Sequence, residues 1–206
     1  MSTPIEVPWA PSGERHELGE ALRRLLDVVV QTAAPPSELR AAATVVDELT
    51  ARLGRQTFHA GTSAGADSYR DQMSLVGGTA HPIAPQLLMA DHEGGAEGVV
   101  VVGPLFQGGP GLVHGGVLAL LIDHAMGYVA TRPERAAMTV RLSLRFRRPT
   151  PLGVQLAISV RLDRIEGRKL HLSATIATSD EVTVEAEAIF LILTAENLET
   201  VFGRVG

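Results

Sequence analysis

The second half of the chain alternates apolar and polar residues with a period of two, the pattern of strands that present one face to a core. Val140, Leu142, Leu144 and Phe146 fall on one side, and Arg141, Ser143, Arg145 and Arg147 on the other. The alternation recurs through Leu156, Ile158, Val160 and Leu162, then Leu170, Leu172, Ala174 and Ile176, then Val182, Val184, Ala186, Ala188 and Phe190. Four long antiparallel strands are therefore predicted. The joints between them are PTPLG, Glu166-Gly167 and Ser179-Asp180-Glu181, short and turn-like enough for a meander. One polar and one apolar face fits a sheet covered on one side. Two further strands are predicted near residues 86–91 and 99–103.

A helix is predicted from residue 114 to about residue 131, apolar on nearly every side between residues 117 and 129, as in a helix enclosed by protein. Nearer the N-terminus, Leu18, Leu22, Leu25 and Val29 fall on one helical stripe. A second helix follows, with Ser37 placed to cap it, apolar Leu39, Ala42, Val46, Leu49 and Leu53, and Gly54 at its C-terminal end. Pro35-Pro36 joins the two into a helical hairpin. Residues 57–85 have no period and many Gly, Ser, Ala and Pro, as a connecting loop has. The predicted class is α+β, an antiparallel sheet wrapped round a central helix. Its organisation is 1–84 as a helical extension and loop, 85–195 as the main domain and 196–206 as a tail.

Asp123 is the anomaly in that central helix. An ionised carboxylate without partners is costly to bury, so its presence among apolar residues points to function. The alternative is a core carboxylate tied to a backbone N–H or an arginine. At the other end of the helix, Gly115 and Gly116 leave backbone N–H groups and the positive end of the dipole bare, the outline of an oxyanion hole. The alternative for the glycines is a tight turn, and for His114 a cap. His124 points about 100° away from Asp123 and reads as structural. Eight residues at about 1.5 Å each separate Gly115 from Asp123 by about 12 Å, so one reacting carbonyl cannot touch both in a single chain. If the two ends cooperate, two copies of the helix must run antiparallel across a two-fold axis, which predicts a dimer with shared sites.

The phrase FQGGPGLVHGGVLALLIDHAMG, with MTVRLSLRFRRPTPLG downstream, resembles the hotdog-fold acyl-CoA thioesterases of the PaaI-like group, and most of all the branch with a helical N-terminal extension. The resemblance spans roughly residues 85–193. It implies hydrolysis of a thioester, with Asp123 as general base or nucleophile, the Gly115 N–H holding the thioester oxygen, His114 shaping the turn and polarising the carbonyl, and Thr139 holding the attacking water. Coenzyme A enters as part of the substrate, and no separate cofactor is implied. Homodimers, or dimers of dimers, are the expected assembly.

Two positions depart from the simple pattern. Thr139 shares the parity of Arg141 and so belongs on the polar face, unless a bulge turns it inward or an oligomer contact covers that face. Many PaaI-like enzymes carry an asparagine six residues before the motif histidine, where this chain has Gly108. Gln107 is the nearest amide. Substrate contacts are accordingly expected from Gly116, Gln107 and Gly108, with Arg145, Arg147 and Arg148 as candidates for the phosphates of coenzyme A. The alternative for these arginines is a solvated strand face.

Charge and composition narrow the classes. The 206 residues suffice for one core, and 18 Lys and Arg against 23 Asp and Glu give a net charge of −5, which disfavours nucleic acid. There are no cysteines, hence no disulfide, thiolate metal site or cysteine nucleophile. Residues 1–20 carry charges and prolines where a secretory signal would be apolar, and no run reaches the length of a membrane span, so a cytoplasmic location is expected. GTSAG at residues 61–65 matches a nucleophile elbow around Ser63 but lacks the strand and helix an elbow needs. Asp91-His92-Glu93 has no second cluster to complete a metal site, and none is expected. Besides hydrolysis, two readings remain open: a hydratase or dehydratase of acyl thioesters using a His and Asp/Glu pair, and a non-catalytic acyl-CoA-binding or regulatory module. The N-terminal hairpin has two candidate roles, a cap over the acyl tunnel or a contact within the oligomer.

Overall fold

A computed structural model describes residues 13–55, 73–131, 135–179 and 181–196. The GTSAG segment, most of the predicted tail and part of the 57–85 loop lie outside the described residues. In chain order the elements are α1 (Glu14–Val29), α2 (Pro36–Leu53), β1 (Leu88–His92), β2 (Gly95–Val101), a single 3-10 turn (Pro104–Phe106), α3 (Gly115–Ala130), β3 (Ala137–Phe146), β4 (Gln155–Glu166), β5 (Lys169–Ala177) and β6 (Val182–Ile192).

The strands form one six-stranded sheet in the order β1-β2-β4-β5-β6-β3, and each neighbouring pair is antiparallel. Alternation decides which face is apolar. Leu156, Ile158 and Val160 of β4, Leu170, Leu172 and Ile176 of β5, and Val184, Ala188 and Phe190 of β6 are all buried beneath α3. The β4–β5 joint is a two-residue turn with Gly167 at φ +59°, the left-handed position such hairpins demand. The predicted meander holds for β4, β5 and β6. It fails at PTPLG, because β3 pairs with β6 at the far edge instead of with β4. Pro149 and Pro151 cannot donate to a ladder and keep the residues before them extended, so this stretch carries the chain across the sheet end instead of reversing it.

Helix α3 lies on the concave face of the sheet, with Leu118, Leu121, Ile122, Ala125, Met126 and Val129 buried. These recur at three- and four-residue steps on one side. The predicted enclosure is incomplete in the single chain: Val117, Leu120, Asp123 and Gly127 are only partly covered and Tyr128 is exposed. At its end Arg135 donates to the Ala130 carbonyl at 2.8 Å and to that of Val129 at 3.1 Å, a cation on the negative pole of the helix. A sheet curled round one central helix is the hotdog fold.

The N-terminal helices depart from their predicted packing. Leu18, Leu25 and Val29 of α1 are exposed, and the side turned to the body carries Gly19, Arg23 and Asp27 instead. Polar anchoring replaces an apolar stripe because Gly19 lies flush on Ala80, where a Cβ would sit 2.6 Å from the carbonyl oxygen. Helix α2 buries none of its residues, so it does not close a packed hairpin on α1. Pro35 is its N-cap and Ser37 sits inside the first turn, making no cap hydrogen bond. Proline at the first helical position supplies the start, since its missing N–H leaves no donor unsatisfied.

Candidate functional site

The site begins with a loop tied to itself. Gly108 donates to the Leu112 carbonyl at 2.9 Å, Leu112 to Gly109 at 3.0 Å, and Gln107 bridges to Val113. His114 follows in extended conformation, and its N–H donates to the Phe106 carbonyl at 2.9 Å. Its Nδ1 accepts the Gly116 N–H at 3.0 Å, so the imidazole is the N-cap of α3. A ring nitrogen that accepts leaves the proton on the other, and Nε2 is the free donor. One of the two glycine amides is thus spent on the cap, leaving the Gly115 N–H without a partner among the described residues.

Asp123 lies two turns further along α3, half-buried. Thr139 Oγ1 donates to its Oδ1 at 2.9 Å. The parity conflict at Thr139 is resolved by a bulge. Thr139 pairs with Phe190 and Arg141 with Ile189, so Val140 is an extra residue in β3 and Thr139 takes the inward face it shares with buried Phe190. The bulge turns Val140 outward, away from the stripe it was predicted to share with Leu142. His124 is largely buried against the turn at Gly77, and burial lowers its pKa despite the neighbouring Asp123 charge, so its ring is held neutral.

The other residues expected to meet substrate make contacts of their own. Gln107 Oε1 accepts the Gly111 N–H at 3.1 Å and so staples its own loop. Gly108 has no room for a side chain, since a Cβ there would sit 2.8 Å from His114 Cα. The asparagine seen at this position in the resembled enzymes is therefore excluded here by the close approach of two backbones. Arg147 pairs with Glu185 at 2.7 Å, and that hydrogen bond holds the Glu185 carboxyl below the usual range. Arg148 pairs with Glu181, and Arg145 faces Glu185 across the β3–β6 ladder. Both Arg145 and Arg147 thus lie on the outer face of the sheet, opposite Asp123.

Gly115 and Asp123 stand at positions one and nine of an unbroken helix, about 12 Å apart along the axis. The cleft between α1 and the 3-10 turn, about 330 Å³, is lined by Arg23, Asp27, Gln86 and Phe106 and includes neither of them. Sequence reasoning missed Arg23, Asp27 and Arg135, whose charges bind backbone groups in place of other side chains and so leave no pairing signal in the sequence.

Comparison with known proteins bears on the fold. The family model described as the thioesterase superfamily matches residues 110–187. Acyl-coenzyme A thioesterase THEM4 of Bos taurus is 43% identical over 100 residues, covering 48% of this chain and 41% of that protein. Acyl-coenzyme A thioesterase THEM5 of Homo sapiens is 33% identical over 96 residues, covering 46% of this chain and 39% of that protein. The chain spans about two fifths of the length of these curated relatives. A solved crystal structure described as a thioesterase superfamily protein is 30% identical, with a TM-score of 0.79, and the alignment covers 89% of this chain and 97% of that one. The chain belongs to the thioesterase superfamily.

Proposed function

We propose that the chain hydrolyses acyl-CoA thioesters to a free acid and coenzyme A. The observation that carries the reading is the 2.9 Å hydrogen bond from Thr139 to Asp123, which fixes one carboxylate oxygen and leaves Oδ2 to work on a proton. Names of the relatives that match the same region, acyl-coenzyme A thioesterases, support the substrate class.

Asp123 takes a proton from water as the water oxygen attacks the thioester carbonyl, whose oxygen becomes an oxyanion. The Gly115 N–H at the bare tip of α3 stabilises it, with the His114 Nε2 proton as a second donor. Collapse breaks the carbon–sulfur bond, and Asp123 returns its proton to the departing thiolate. Thr139, donating to Oδ1, retains lone pairs that can accept from the attacking water.

Asp123 and Gly115 belong to different ends of the helix, so each site joins Asp123 of one subunit to Gly115 of the partner subunit. Two features support this pairing. The flank of α3 that holds Asp123 is only partly covered, and β3 is an edge strand whose helix-side Phe146, next to Gly115, stays exposed. Arg147 and Arg148 are paired with Glu185 and Glu181 on the outer side of the sheet, so a coenzyme A phosphate there would share them with those carboxylates.

The test is thiol release from short, long and aromatic acyl-CoAs by the wild type and by Asp123→Asn. Loss of about a hundredfold or more in kcat is expected from removing a positioned base. Equal rates in both proteins would end the mechanism. An inactive wild type that still binds acyl-CoA would make the chain a binding module.

A further inference from the structure

Helix α1 reaches the oxyanion turn through one side chain. Gly19, Arg23 and Asp27 stand four residues apart and so share a face of α1. Gly19 lies against Ala80, and Arg23 donates to the Thr79 carbonyl at 2.9 Å and to that of His81 at 2.8 Å. These contacts fix the height and rotation of the helix on the body. Asp27, one turn on, accepts the Leu105 N–H at 3.2 Å, across 78 residues of sequence. Its carboxylate also fills the space beside Gly103, where a Cβ would sit 3.1 Å from Oδ1.

Leu105 is the middle of the 3-10 turn, and the next residue is the one that holds the motif histidine. The chain of contacts runs from Asp27 Oδ1 to the Leu105 N–H, through the peptide to the Phe106 carbonyl, from there to the His114 N–H at 2.9 Å, and by His114 Nδ1 to the Gly116 N–H at 3.0 Å. Every link is a hydrogen bond or a short covalent path, and the Gly115 N–H lies between His114 and Gly116. An amide that must meet a developing charge is effective only when its direction is already set, and a misplacement of about 1 Å can cost a hundredfold in rate.

We propose that Asp27 is a positioning residue for the oxyanion donor, acting through Leu105, Phe106 and His114, and that α1 is a buttress of the active-site turn. The inference rests on the hydrolase reading for its kinetic consequences but not for its structural one. The 79–81 segment that Arg23 grips leads back to Gly77, which packs on His124 beside Asp123, so the same helix also braces a second loop that packs on α3.

The test uses the full chain with Asp27→Ala, which deletes the acceptor, and Asp27→Asn, which keeps an acceptor oxygen without the charge. Acyl-CoA turnover and amide hydrogen exchange across residues 103–118 are measured together. Asp27→Ala should lower kcat about five- to tenfold, the worth of roughly one hydrogen bond, with KM within twofold, and should speed exchange in that segment. Asp27→Asn should recover most of both. Gly103→Ala provides a second route, since its Cβ would shift the intact Asp27 carboxylate slightly away from Leu105 and should produce a weaker version of the Asp27→Ala effects. Unaltered exchange and kcat in Asp27→Ala, or an Asp27→Asn protein as impaired as Asp27→Ala, would overturn the proposal. If the wild type turns over no acyl-CoA, the hydrolase reading fails while the exchange comparison still decides the role of Asp27.

Discussion

Thr139 and Asp123 meet at 2.9 Å because β3 carries one residue more than β6 across from it, and that extra residue turns the threonine to the helix side. Thr139→Val keeps the β-branched shape the strand favours and removes the hydroxyl. It should lower kcat about tenfold, in line with losing a hydrogen bond to a charged group, while the urea midpoint changes little. Thr139→Ser, which restores the hydroxyl, should recover most of the rate. If Thr139→Val turns over substrate as fast as the wild type, the threonine is only a strand residue.

Gly108 sets how closely the loop approaches His114. With a Cβ placed 2.8 Å from His114 Cα, Gly108→Ala forces two backbones apart, an overpacking cost of about 1 to 3 kcal/mol. Urea unfolding should show that loss, and turnover should fall with it because His114 shifts. Gly108→Asn, which reinstates the amide of the resembled enzymes, should be no better than Gly108→Ala. A gain in rate from the asparagine would mean that the loop opens in solution.

His124 gives the fold a pH dependence of definite sign. Burial lowers its folded pKa below the 6.5 of the free side chain, so the unfolded chain binds the proton more readily. Its contribution to stability is complete above about pH 6.5 and declines as pH falls from there toward the folded value. His81, also lowered, first by burial and then by Arg23, adds to the slope in the same direction. Urea midpoints at fixed protein concentration between pH 7.5 and 5 should fall less steeply for His124→Gln than for the wild type, on the proton linkage of a single group. Parallel slopes for the two proteins would show that His124 titrates as it does in the unfolded chain.

The sheet and its helix were legible because period two and period 3.6 are written directly in residue type. The predicted span of residues 114 to about 131 matches the Gly115–Ala130 helix between its caps His114 and Thr131, and Asp123 stood out as a carboxylate among apolar neighbours. Partnership was less legible than pattern. Nothing local distinguishes a β3 that pairs with β4 from one that pairs with β6, since both partners offer the same alternation. The inward turn of Thr139 depends on a register slip with β6, a property of two strands together. On α1, the Leu18, Leu25 and Val29 stripe drew attention from the face that touches the body, where Gly19 permits contact and Arg23 and Asp27 make it.

The shared site admits a test by complementation. Gly115 is the first residue of α3, where proline is tolerated, and His114 before it is already extended, as a residue preceding proline must be. Gly115→Pro therefore deletes the proposed oxyanion donor while sparing the helix. Asp123→Asn deletes the base. Each homodimer should be nearly inactive. In a mixed dimer, one site brings the two substituted positions together and is doubly defective, whereas the other joins Asp123 of the Gly115→Pro subunit to Gly115 of the partner subunit and is intact. Refolding the two variants together in equal amounts makes half of the dimers mixed, with one working site of two, so about a quarter of wild-type activity should return for two-fold-related sites. Activity no greater than the sum of the separate variants would show that Gly115 and Asp123 do not meet across the two-fold axis.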